Sequence, residues 1–61
     1  MAPEQILAWA IVNARGGVFY YTISDARACA IAEHVDMQRK TWPACRKLGD
    51  RAVRIRIEVL P

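Results

Sequence analysis

Ala52-Val53-Arg54-Ile55-Arg56-Ile57-Glu58-Val59 alternates almost perfectly between apolar and charged residues. Val53, Ile55, Ile57 and Val59 point one way and Arg54, Arg56 and Glu58 the other, the period of two that marks a strand with one buried face. Two more strands are expected upstream. Ile6 to Val12 is a short apolar run, and Val18-Phe19-Tyr20-Tyr21-Thr22-Ile23 is built only of β-branched and aromatic residues. Between them Asn13-Ala14-Arg15-Gly16-Gly17 carries the glycines that a hairpin loop needs for positive φ. Met1 to Gln5 reads as a lead-in.

The intervening segment changes period. Ser24 suits a helix N-cap with Asp25 in the first turn, opening an Ala-rich helix over Asp25 to Asp36. Ala28, Ile31, Ala32 and Val35 fall on one stripe of that helix, with Arg27 and Glu33 off it. Met37 to Lys40 reads as a connection. Thr41 caps a second, short helix with Trp42 and Pro43 in its first turn, Arg46 and Lys47 in its last and Gly49 just beyond. The order strand, strand, helix, short helix, strand predicts an α+β fold, a three-stranded and mainly antiparallel sheet with the helices packed on one face. The last strand can pair beside the first or beside the second, and the sequence does not choose. Residues 1–61 read as a single small domain.

Length limits what such a domain can do. At 61 residues the core is thin, and a pocket of roughly 300 Å³ or more, the usual size for a small-molecule enzyme, has little room. Cys29 and Cys45 are too few for the disulfide framework of a small secreted domain and fit a reducing cytoplasm. The seven apolar residues Ile6 to Val12 fall far short of the ~20 that a spanning helix needs, so no membrane association is expected. Glu4, with no Lys or Arg ahead of the apolar run, also argues against a signal peptide.

Few residues offer chemistry. Cys29, His34, Asp36 and Cys45 are the candidate metal or nucleophile group, but the cysteines form no closely spaced pair. On a helix Cys29 and His34 would diverge by roughly 140°. The expectation is therefore two small apolar side chains and a surface histidine, with no metal, no cofactor and no catalytic site. Gly16-Gly17 lacks the spacing of a phosphate-binding loop and precedes a strand.

Charge says more. The formal net charge of +3 divides unevenly along the chain. Residues 1–37 carry Arg15 and Arg27 against Glu4, Asp25, Glu33 and Asp36, a net −2. Residues 38–61 carry Arg39, Lys40, Arg46, Lys47, Arg51, Arg54 and Arg56 against Asp50 and Glu58, a net +5. A segment this basic suits an acidic protein or nucleic acid. With Val53, Ile55 and Ile57 facing the helices beside Leu7, Trp9, Ile11, Phe19, Tyr21 and Ile23, the open face would show Ala8, Ala10, Val12, Val18, Tyr20, Arg54 and Arg56. An apolar strip beside arginines suits association. The expected contact residues are Tyr20, Arg46, Lys47, Arg51, Arg54 and Arg56.

Three stretches carry a wider likeness: Trp9-Ala10-Ile11-Val12 with Thr22-Ile23-Ser24-Asp25-Ala26-Arg27, then Trp42 with Cys45-Arg46-Lys47-Leu48-Gly49, then Val53-Arg54-Ile55-Arg56-Ile57. Together they resemble the short accessory proteins encoded by bacteriophages and prophages of proteobacteria. The resemblance implies a bacterial host cytoplasm and a host protein bound and inhibited or modulated without catalysis, as anti-CRISPR proteins do. It brings no catalytic residue. The alternative expectation is a small basic protein that binds nucleic acid through its C-terminal half. A homodimer through the open sheet face or an edge strand is compatible with both.

Overall fold

The computed structural model describes residues 5–59. Met1 to Glu4, most of the expected lead-in, lie outside the described residues, and Gln5 already belongs to the first strand. The elements run β1 (Gln5–Val12), β2 (Val18–Ser24), α1 (Arg27–Gln38), α2 (Trp42–Lys47) and β3 (Arg51–Glu58). This is the expected α+β arrangement. The sheet order is β2-β1-β3, with both pairings antiparallel. The most apolar segment thus takes the centre, where neighbours flank it on two sides, and the last strand joins the first.

The β1–β2 hairpin closes as its sequence suggests. Asn13 donates its N–H to the Gly17 carbonyl at 2.9 Å, and its side-chain oxygen accepts from the N–H groups of Arg15 and Gly17. Gly16 supplies the positive φ, at 85°. Beyond the first pairs the ladder becomes irregular. Ile11 pairs with Phe19 but Trp9 with Ser24, so β2 advances five residues while β1 advances two. Thr22 fills the gap this bulge opens. Its buried hydroxyl accepts the Ile11 N–H at 2.8 Å and donates to the Phe19 carbonyl at 2.6 Å, relaying a ladder bond through a side chain.

The helices depart from expectation in one respect and follow it in another. Ser24 is not a helix cap. It remains in the sheet opposite Trp9 and donates its hydroxyl to the Thr22 carbonyl. The helix begins two residues later than expected, on Ala26 as an N-cap with no side-chain bond. It also continues through Met37 and Gln38 to an αL cap at Arg39, so the first half of the expected connection is helical. The helix is rotated relative to the expected stripe. Ala28 and Ala32 are exposed, Ile31 and Val35 half-buried, and Ala30 and His34 fully buried. α2 matches its sequence signals: the Thr41 hydroxyl accepts the Ala44 N–H at 3.3 Å, and Pro43 sits in the first turn.

Register assigns the sheet faces. Paired residues point to the same side, so Ile11, Phe19 and Ala52 share one face with Trp9 and Arg54 and with Leu7 and Arg56. The helices cover that face, because the Phe19 ring lies 4.6 Å from the ring of His34 in α1. Ala8 with Ile55, Ala10 with Val53 and Ile6 with Ile57 belong to the other face. The expected sorting of β3 is thereby reversed. Val53, Ile55 and Ile57 look away from the helices, and Arg54 and Arg56 share the helix side. The alternation was sound, but it carried no label for which side the helices would take.

β1 and β3 pair from Gln5 opposite Glu58 to Val12 opposite Arg51, while β2 reaches only to Trp9. The outer part of the β1–β3 ladder therefore extends beyond the helices and β2. The molecule is long, 44 × 21 × 14 Å, and its radius of gyration of 12.7 Å exceeds the ~10.5 Å of a compact chain this size.

Thr22→Val, near in shape but without the hydroxyl, should leave two buried backbone groups unpaired. A loss of about 2 kcal/mol or more is expected in urea unfolding, with the m-value unchanged. Thr22→Ser should retain most of the wild-type stability.

Candidate functional site

Two features stand out once side chains are placed: a buried polar centre beneath α1 and the uncovered face of the sheet. His34 is the middle of the first. Its Nδ1 lies 2.9 Å from the Tyr21 hydroxyl and its Nε2 2.8 Å from Asp50 Oδ2. Gln38 donates to the same Tyr21 oxygen at 3.1 Å. Every atom of the network finds a partner when Tyr21 donates its proton to Nδ1 and Nε2–H donates to the carboxylate. Phe19 tilts against the ring at 4.6 Å and Trp42 meets it edge-on at 6.4 Å. The imidazole thus joins β2, α1 and the residue preceding β3.

This centre corrects the reading of His34 as a surface residue. No local sequence signal links Tyr21, His34 and Asp50, because each lies in a different segment and they meet only in the fold. Cys45 of α2 is fully buried beside them, and the donor atoms of His34, Cys45 and Asp50 all fall within 4.8 Å of one another. Of the group singled out in the sequence, Cys29 and Asp36 are exposed and take no part. The Cys, His and Asp here do not form a nucleophilic triad. Both ring nitrogens are engaged by other partners, so neither acts as base toward the thiol, and the thiol has no opening to a substrate.

The uncovered face carries Ile6, Ala8, Ala10 and Val12 of β1 and Val53, Ile55 and Ile57 of β3, with Val18 paired to Val12 on β2. Ala8, Ala10 and Val12 are buried along the middle strand, between the side chains of the two flanking strands. Val53, Ile55 and Ile57 are half-buried, and Ile6 is 46% exposed. Tyr20, between the two residues that touch His34, points away from the helices and is 80% exposed at the sheet edge. Arg51, opposite Val12, belongs to this face as well.

The remaining expected contact residues lie elsewhere. Arg54 places its guanidinium 5.2 Å from the Trp9 ring on the helix side, and Arg56 pairs with Leu7 there. Arg46 and Lys47 occupy the last turn of α2. The six residues therefore do not form one patch: Tyr20 and Arg51 border the apolar face, and the other four are separate from it. Comparison of the chain with protein-family models, with curated proteins and with solved structures gives no match.

Asp50→Ala should strand the buried Nε2–H without an acceptor, at a cost of about 1–3 kcal/mol, which for a domain this small lowers Tm by several degrees. Asp50→Asn keeps an acceptor oxygen and should lose clearly less. Thermal melts of the two variants side by side check the pairing.

Proposed function

We propose that this chain is a non-catalytic binding protein that docks a protein partner on the uncovered face of its sheet. One observation carries the reading: a half-buried, branched aliphatic surface of Val53, Ile55 and Ile57, joined by Ile6, stands without a helical layer over it. A contiguous apolar surface rimmed by polar groups is the ordinary mark of an interaction site. Arg51 and Tyr20 at its border supply the Arg and Tyr that interface hot spots favour. The resemblance to phage and prophage accessory proteins supports a bacterial host protein as the partner, bound stoichiometrically and modulated or inhibited in a host cytoplasm.

The test is affinity capture from bacterial lysate with wild-type and Ile57→Lys baits of equal helicity. One host protein held stoichiometrically by the wild type and released by Ile57→Lys supports the reading, and Arg54→Ala with Arg56→Ala should leave that capture intact. Identical capture by both baits, or capture of nucleic acid alone, overturns it.

Direct nucleic-acid binding has its own supporting observation. Arg15 in the hairpin loop, Arg39 and Lys40 after α1, Arg46 and Lys47 of α2 and Arg51 opening β3 are all exposed. The fold brings their segments to one end of the sheet, where Gly49 packs so closely on Ala14 that a Cβ would lie 2.5 Å from the alanine Cβ. If this end neutralises Z phosphates, log K should fall against log salt with a slope of about −0.9Z. Binding that is absent at low salt, or flat against salt, removes this alternative.

A further inference from the structure

The geometry points to His34, Cys45 and Asp50 as a structural site for a zinc-like divalent metal ion. Three donors of the right chemistry, an imidazole nitrogen, a thiol sulfur and a carboxylate oxygen, lie within 4.8 Å of one another, and all three residues are buried. Each comes from a different segment: α1, α2 and the residue that precedes β3. Small domains whose cores are thin often gain stability from a metal that joins distant segments. A thiolate in the set selects zinc over hard cations such as magnesium or calcium.

Occupation needs small changes. A tetrahedral zinc ion takes sulfur at about 2.3 Å and nitrogen or oxygen at about 2.0–2.2 Å, so the His34–Asp50 pair, now 2.8 Å apart, opens by about half an ångström while the Cys45 sulfur closes in by about an ångström. The thiol proton leaves to solvent, and the imidazole proton moves from Nε2 to Nδ1. There the Tyr21 oxygen, 2.9 Å away, accepts it, which is the outer hydrogen bond that metal-bound histidines characteristically make. The Asp50 side chain is 9% exposed while that of His34 is fully enclosed. The fourth position is therefore filled from the carboxylate side, by its second oxygen or by a water. Because a proton is released, affinity should rise with pH.

The experiment uses the untagged chain stripped with a chelator. Zinc in about 100-fold excess over its Kd should raise Tm by about 10 °C, and cobalt should give thiolate-to-metal charge-transfer absorption in the near ultraviolet. Cys29→Ser should keep both signals. Cys45→Ser, which preserves the size of the side chain, should lose the charge-transfer band and bind zinc at least about tenfold more weakly; circular dichroism confirms that this variant remains folded. A Tm that zinc does not move overturns the site. So does a cobalt spectrum without a thiolate band, or a band that survives in Cys45→Ser and disappears in Cys29→Ser. None of these outcomes depends on the binding face, so failure here leaves the docking proposal intact.

Discussion

A single buried imidazole holds the two layers in register. His34 reaches Tyr21 of β2 on one side and Asp50, the residue just before β3, on the other, and β2 and β3 flank β1 without pairing with each other. Such a polar centre is costly unless every group is paired. The described residues meet that condition, with no buried side-chain nitrogen or oxygen left unpartnered. The position of α1 over the sheet follows. Ala30, one turn before His34, is fully buried because the helix must approach closely enough for the ring to reach Asp50.

That constraint also explains why the two sheet faces differ. The helix side places aromatic rings around the imidazole, with Ile11 enclosed beneath them. The other side has no second layer and presents aliphatic residues at its flanks over small ones in the middle strand. The helices of the described residues supply one layer, and it lies on the imidazole side.

Local chemistry was legible in the sequence. Thr41, Trp42 and Pro43 define a capped short helix, Asn13 and Gly16 define the hairpin, and the alternation of β3 defines a strand; each rests on neighbours within a few positions. What failed to show was anything set by distant partners. Ser24 looked like a cap because its neighbours suit one, yet pairing with Trp9 keeps it in β2. Ala28 and Ala32 made a plausible stripe, but the bond from His34 to Asp50 rotates the helix to bury Ala30. The facing of β3 is hidden for the same reason: alternation divides residues into two sets without saying which set the helices cover. The candidate site suffered most, since Tyr21, His34, Cys45 and Asp50 share no local pattern.

The β1–β3 ladder has a consequence for the order of folding. It is the longest and most regular pairing in the sheet, and it joins Gln5 to Glu58 across nearly the full sequence. The hairpin can form from local contacts, but the central strand keeps one edge bare until the residues of β3 arrive. Closing so large a loop is entropically slow. During synthesis an apolar strand with an open edge waits for β3, and any chain that stops short of β3 leaves that edge free to pair with another molecule. The strand at the heart of the fold is thus the one whose protection comes last.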